Sequence, residues 1–263
     1  MAQTGSNGAT PNAIEVSDLR HSFDHQQVLR GVDLDCPRGH VTTIVGPSGC
    51  GKTVLLKHLN LLLRPDSGRI NIEGVEVSRL RGRALDQVRS GFGMLFQGGA
   101  LFDSMSVFDN VAFPLVEKAR LSRDEISSRV HAMLASVGLD AMEKKFPSEM
   151  SGGMQKRAAL ARALIHEPRI LMLDEPTTGL DPTRTGSIHA LVRETQQRLG
   201  LTAVLVSHDV PQVFQISDRV AFMHEGRMRL VGTPQEMMAT EDEVFQKFLA
   251  GKAALDEDAA ALD

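Results

Sequence analysis

Eight residues, Gly46-Pro47-Ser48-Gly49-Cys50-Gly51-Lys52-Thr53, have the types and spacing to hold a polyphosphate. Glycines let successive backbone N–H groups turn inward and form a concave anion site. The apolar run Val41-Thr42-Thr43-Ile44-Val45 before them reads as a buried strand, and Val54-Leu55-Leu56-Lys57-His58-Leu59 after them reads as a helix. That helix would aim its positive dipole end at the same point. Lys52 is expected to reach the β- and γ-phosphates and the Thr53 hydroxyl to ligate Mg²⁺. Gly46 to Val54 is thus the first candidate binding segment.

A second group of residues could act on what that loop holds. Ile170-Leu171-Met172-Leu173 is a buried-strand pattern that runs into Asp174-Glu175. A carboxylate at such a strand end can hold Mg²⁺ through water, and the next one can polarise an attacking water. An apolar strand ending in two acids is common and weak evidence by itself; after a phosphate loop in the same chain it is strong. His208 follows a similar strand, Ala203-Val204-Leu205-Val206, and could hydrogen-bond a γ-phosphate and the activated water. Ser151-Gly152-Gly153-Met154-Gln155 then leads into the helix-forming run Lys156 to Leu164. A Ser N-cap with bare N–H groups behind it makes another anion site. One chain therefore carries two anion sites and one complete phosphate loop. The economical explanation is a dimer in which the two sites meet and clamp one nucleotide between them.

The elements that must position these residues alternate. Short strands are expected at Ile14-Glu15-Val16, Val28-Leu29 and Val32-Asp33-Leu34, and an edge-type strand over Arg69 to Gly74 after the turn Arg64-Pro65-Asp66-Ser67-Gly68. Apart from one apolar stretch, Gly93-Met94-Leu95-Phe96, the chain from about 83 to 145 has helical periodicity, with Ile126, Val130, Met133 and Leu134 on one face. It reads as a helical insertion. Strands and helices alternate again after Ser151, with a helix expected from Gly186 to Leu199. The fold class is α/β, with a mainly parallel sheet covered on both faces.

Composition sets outer bounds. The chain has 263 residues, 42% of them hydrophobic and 24% charged, ordinary for a soluble globular protein with a substantial core. A formal charge of −4 gives no electrostatic basis for a nucleic-acid partner. With no Trp and no Tyr, aromatic stacking must come from Phe or His. Cys36 and Cys50 lie outside any metal-ligand spacing and read as reduced thiols of a cytosolic protein. The start is small and polar, unlike a signal peptide, and no apolar run is long enough to span a bilayer. Residues 1 to 12 are expected to be disordered. The acidic, Ala-rich end, 252 to 263, reads as a solvated, partly helical tail, with a docking peptide as the sharper alternative.

Taken together, these motifs resemble those of ABC transporter nucleotide-binding subunits. Gly46 to Thr53 is similar to a Walker A loop and Ile170 to Glu175 to a Walker B strand with its catalytic glutamate. Ser151-Gly152-Gly153-Met154 resembles the signature, Gln97 the Q-loop glutamine, His208 the switch histidine, and Thr178-Gly179-Leu180-Asp181 the D-loop. They stand in the family's order from about Ile14 to Gly251. The resemblance implies a P-loop NTPase core over 13–251 with a small antiparallel β subdomain and a helical subdomain inserted at about 84–155. It implies ATP and Mg²⁺ as ligands and a homodimer. Glu175, His208 and Lys52 become catalytic candidates. Gly46, Pro47, Ser48, Gly49, Cys50, Gly51, Lys52, Thr53, Val54, Gln97, Ser151, Gly152, Gly153 and Asp174 become nucleotide-binding candidates, and Thr53, Gln97 and Asp174 candidate metal ligands. The adenine-stacking aromatic of the family is usually Tyr. Phe23 stands at the corresponding point, with His21 the second choice. The signature departs from its commonest form, having Met150 and Met154 around the Ser and both Gly that are kept.

The segment Phe96 to Leu115 and the Ser-Gly-Gly-Met signature resemble ATPases that work with MCE-domain proteins. The Mla branch of that group moves phospholipids between the two membranes of Gram-negative bacteria. The resemblance then implies an integral-membrane permease, an MCE-domain protein and a small STAS-domain protein as partners, no nucleic acid, and a peripheral place on the cytoplasmic face of the inner membrane. Three rivals stand beside it: an importer subunit for a small solute, a soluble ABC ATPase acting on nucleic acid or ribosomes, and a small-molecule kinase. The kinase leaves Ser151-Gly152-Gly153 unexplained. Leu101 and Phe102 either pack inside the helical region or form the lip of a groove that receives the permease.

Overall fold

The computed structural model describes residues 11–118 and 121–260. The expected disorder of the N-terminus falls mainly on residues 1–10, which lie outside the described residues; Asn12 already belongs to the first strand.

Two sheets enclose one helix. The smaller sheet is antiparallel, with β1 (Asn12–Phe23), β2 (Gln26–Pro37), β4 (Ser67–Ile72) and β5 (Val75–Glu76) in the order β2-β1-β4-β5. The larger one contains β3 (Val41–Val45), β6 (Phe92–Leu95), β7 (Ile170–Asp174), β8 (Thr202–Val206), β9 (Arg219–His224) and β10 (Arg227–Gly232) in the order β10-β9-β3-β8-β7-β6. All its pairs are parallel except β9 with β10. The segment expected as an edge strand at Arg69 is β4, and it is not an edge: β1 and β5 flank it. Two exposed residues of β5 are enough to cover it.

Helix α1 (Lys52–Leu59) lies between the sheets. Its Leu55, Leu56 and Leu59 share one core with Ile14, Leu29 and Ile44. The opposite face of the large sheet carries α3 (Val107–Lys118), α4 (Arg123–Ser136), α5 (Gly152–Leu164) and α6 (Pro182–Leu199). Short α2 (Gly82–Arg89) precedes β6, and α7 (Pro234–Ala239) and α8 (Glu243–Ala260) close the chain. The expected helical insertion at 84–155 therefore contains a strand, β6, which forms an edge of the large sheet. Four apolar residues are too short to tell strand from helix by periodicity.

Strand alternation decides which side chains meet. On β7, Ile170 and Met172 face the core with α1, while Leu171 and Leu173 face the core with α5 and α6. On β8, Val204 and Val206 take the α1 side and Ala203 and Leu205 the other. Asp174 has the parity of Ile170 and Met172, so its carboxylate is delivered to the start of α1.

Candidate functional site

The loop between β3 and α1 needs its glycines. A Cβ on Gly46 would lie 2.2 Å from the Met223 carbonyl oxygen on β9. Gly51, the residue capping α1, sits at φ +108°, where an L side chain is strained. Lys52 is buried; its Nζ donates to the carbonyls of Gly46 at 2.8 Å and Pro47 at 2.9 Å. An ammonium has three donors, so one remains for an anion above the loop. Cys50 is buried and free, and burial raises its thiol pKa.

Thr53 Oγ1 donates to Asp174 Oδ1 at 3.3 Å, joining the first turn of α1 to the end of β7. Burial raises the Asp174 pKa, and the Thr53 hydrogen bond opposes that. Glu175 follows at φ +47°, with its N–H on the Val206 carbonyl at 2.9 Å. Its Oε2 is a point of convergence. Gln97 Nε2 donates to it at 2.9 Å, Thr178 Oγ1 donates at 3.0 Å, and His208 Nδ1 lies 3.3 Å away. A carboxylate so fixed beside an imidazole can accept a proton from water. His208 Nε2 in turn lies 3.8 Å from Asp209 Oδ1. Asp209 accepts from Thr177 on the other side, a bond that ties the turn after β7 to the turn after β8.

The oxygen donors of Thr53, Asp174 and Gln97 suit a hard cation that takes most of its ligands from phosphate and water. The Gln97 amide nitrogen is on Glu175, which leaves its oxygen free to ligate. Among the described residues no cluster of three His, Cys, Asp or Glu side chains could hold a metal without such help.

Ser151 caps α5, accepting from the Met154 N–H at 3.4 Å. Gly152 lies beside Leu180 of the turn before α6, and a Cβ there would stand 3.5 Å from the Leu180 side chain. Ser151 and Gly152 are exposed and Gly153 half-buried. Gly152 lines a rim shared with Gln97, Lys156, Thr178 and Gly179, and Asp181 caps α6 by accepting from the Arg184 N–H.

The two stacking candidates separate. Phe23, at the end of β1, is 46% exposed, whereas His21 is 9% exposed. His21 meets Phe23 edge-on with ring centroids 4.6 Å apart, and His58 of α1 packs against its other side, also at 4.6 Å. His21 is thus a support under Phe23, and only Phe23 offers a ring face of any size to a ligand.

The pair after Gln97 separates too. Leu101 is half-buried and packs on the core beneath α3 and α5, while Phe102 is exposed, 5.0 Å from the Phe113 ring with Arg162 5.7 Å above it. Of the two, Leu101 is the anchor and Phe102 the residue left at the surface.

Sequence reasoning missed what holds this loop. Asn110, fully buried, accepts from the Phe102 N–H and donates to the carbonyls of Phe102, Met105 and Ser106. Arg162 of α5 donates to the carbonyls of Gly99 and Ala100, both at 2.8 Å. Lys156 of α5 donates to the carbonyl of Gln97. The usable signal was the cations Lys156, Arg157 and Arg162 within an Ala- and Leu-rich helix, of which Lys156 and Arg162 reach this loop.

Known proteins carry the same pattern. The family described as "ABC transporter" matches residues 29–178. A "Probable ribonucleotide transport ATP-binding protein mkl" of Mycobacterium leprae is 42% identical over 96% of this chain and 73% of its own length. The "Intermembrane phospholipid transport system ATP-binding protein MlaF" of Escherichia coli strain K12 is 40% identical over 92% of this chain and 90% of its own. Among solved structures, cbiO1 from Clostridium perfringens, part of the ABC transporter complex cbiONQ, superposes with a TM-score of 0.81 at 36% identity, covering 90% and 94% of the two chains. A dimeric post-hydrolysis form of the ATP-binding cassette MJ0796, bound to ADP and Pi, superposes with a TM-score of 0.76 at 27% identity, covering 84% and 98%.

Proposed function

This chain belongs to the ABC transporter family of ATP-binding proteins and is an ATPase, and from that premise we propose that it powers the movement of phospholipid between two membranes through a partner permease. The observation that carries the specific reading is the 40% identity to MlaF across nine-tenths of both chains. The joined geometry of Lys52, Thr53, Asp174, Glu175 and His208 supports the residue roles.

In this reading the N–H groups of Gly46 to Val54 and the Lys52 ammonium hold the triphosphate of ATP. Phe23 stacks on the base. Thr53, Asp174 and Gln97 would hold Mg²⁺, which when bound neutralises phosphate charge. Glu175 takes the proton of the attacking water, and His208 holds the same water and the γ-phosphate. Ser151, Gly152 and Gly153 contact the γ-phosphate held by the partner copy, so two chains close over two nucleotides. The dimeric state of MJ0796 supports that arrangement. No helix among the described residues is long and apolar enough to cross a membrane. The subunit works as a peripheral protein on the cytoplasmic face of the inner membrane, docked by the loop carrying Phe102. An MCE-domain protein and a small STAS-domain protein complete the assembly.

A second reading, ribonucleotide transport, rests on the name of the mycobacterial relative. Reconstitution separates the two. The subunit is purified with the permease it copurifies with from detergent-solubilised membrane and placed in vesicles. ATP-dependent transfer of a labelled phospholipid is the expected result. Stimulation of ATPase by ribonucleotides with no lipid transfer would replace the reading with the second one.

A further inference from the structure

Lys156 is 8% exposed, yet no carboxylate lies within ion-pair distance of it among the described residues. Among the described residues it makes one hydrogen bond, to the backbone carbonyl of Gln97, 59 residues away in sequence. Burial lowers the pKa of the Lys156 ammonium and the charge of Glu175 opposes that, so the cation is held here by the groups around it rather than by open solvent. Lys156 lies one and a half turns into α5, behind the Ser151 N-cap, and it lines the same rim as Gln97, Gly152 and Thr178. The residue whose carbonyl it holds is the one whose side-chain amide sits on Glu175 Oε2.

We propose that Lys156 is a positioning residue that ties the signature helix to Gln97 and so fixes the Gln97 amide on Glu175. Moving the start of α5 then moves Gln97 with it. Arg162 holds the next carbonyls, of Gly99 and Ala100, from the same helix, so the loop follows α5 as one body. The proposal rests on the roles given above to Glu175 and Gln97. It deepens that reading by naming what couples the second anion site to the water-activating group.

The test uses the full-length subunit in its complex with the permease. Lys156→Met removes the donor and keeps the stem; Lys156→Arg keeps a donor. Lys156→Met should lower kcat by about tenfold or more, because the hydrogen bond from a charged group that holds Gln97 against Glu175 is lost. KM for ATP should change less than about twofold, because the phosphate contacts of Lys52 and the loop are untouched. Lys156→Arg should recover most of the loss. In a Gln97→Ala background, Lys156→Met should cost little more, since its effect passes through the Gln97 side chain. Additive losses in that cycle, or wild-type kcat in Lys156→Met, would overturn the proposal. So would a fall in kcat and thermal stability that Arg fails to rescue. Glu175→Gln is the control: if it keeps its turnover, the reading of Glu175 has failed, and if it is dead while Lys156→Met is normal, only the role of Lys156 has.

Discussion

Replacing Glu175 by Gln changes one oxygen for an amide nitrogen and separates proton transfer from architecture. In the protein, Oε2 accepts from Gln97 at 2.9 Å and Thr178 at 3.0 Å. A Gln oxygen can take that position and keep both bonds, with the amide nitrogen turned outward. The backbone at φ +47° is no worse for Gln than for Glu, and the N–H bond to Val206 is kept. What weakens is the charge assistance of those bonds. A bond to a charged group is worth about 1.5–3 kcal/mol and a neutral one about 0.5–1.5, so the variant should lose about 1–3 kcal/mol of stability. That corresponds to a melting point lower by roughly 2–10 °C for a chain of this size. Loss of a general base costs more where it acts: about 10²–10⁴ in rate, or roughly 3–5 kcal/mol of barrier. ATP turnover at saturating nucleotide should therefore collapse in a protein that still melts cooperatively. ATP binding should persist, and size-exclusion with ATP should show more dimer than wild type, because nucleotide that is not hydrolysed holds the two copies together. Turnover within about fivefold of wild type would remove Glu175 from the mechanism, and a variant that neither turns over nor dimerises with ATP would mean that its role is structural.

Lys52→Ala should abolish hydrolysis and greatly weaken nucleotide binding, since it deletes the loop-bound cation proposed to hold the triphosphate; equilibrium binding of a fluorescent ATP analogue checks this, and wild-type turnover in the purified complex would refute it. Phe102→Asp and Leu101→Asp should behave oppositely: the first, exposed, leaves the melt within about 1 kcal/mol of wild type but loses pull-down of the permease, whereas the second puts a carboxylate on the core and costs about 2–4 kcal/mol. Stability should also fall as pH drops below about 6.5. Burial lowers the pKa of both His58 and His189, so over that range the unfolded chain takes up protons that the folded chain refuses, at up to about 1.4 kcal/mol per pH unit for each group. Melts at pH 7.5 and 5.5 should diverge less in a His58→Asn, His189→Gln variant than in wild type, and an equal divergence would refute the assignment.

The candidate site residues are legible in position because each is written locally. Gly46 and Gly51 have backbone requirements that no other residue meets, and Asp174 takes its direction from the alternation of a five-residue strand. The holding groups were not legible, because their partners are backbone carbonyls far off in sequence. Arg162 reaches Gly99 and Ala100 across 63 and 62 residues, and nothing in an Ala-rich helix announces which loop it will meet. His21 and Phe23 share strand parity, so periodicity could not choose between them. The choice is made by the end of the strand and a register shift between His21 and Ser22, which leave Phe23 at the rim and His21 beneath it. In sequence β6 is no more than an interruption in a helical stretch, because four residues carry no period of their own, and only pairing with β7 identifies it.

One helix meets the rim, the Gln97 loop and Phe102. The N-terminus of α5 presents Ser151 and the two glycines. Its second turn holds Gln97 through Lys156, its third holds Gly99 and Ala100 through Arg162, and the Arg162 guanidinium also lies over the ring of Phe102. Gln97 and Phe102 are thus the two ends of a loop clamped to α5, and Asn110 of α3 closes the Phe102 end. A segment with that many fixed carbonyls has little freedom to deform between its ends. A displacement at Phe102, where the permease is proposed to dock, cannot be absorbed within the loop. It must be passed either to Gln97, and so to Glu175, or to α5, and so to the anion site proposed to face a partner copy. The same clamp works in the opposite direction, as linkage requires: nucleotide that draws Ser151 and Gly152 toward a partner copy shifts the surface on which the permease rests. On this argument Arg162→Ala should leave nucleotide affinity near wild type yet reduce the ratio of permease-stimulated to basal ATPase, and an unchanged ratio would show that the loop is not the path.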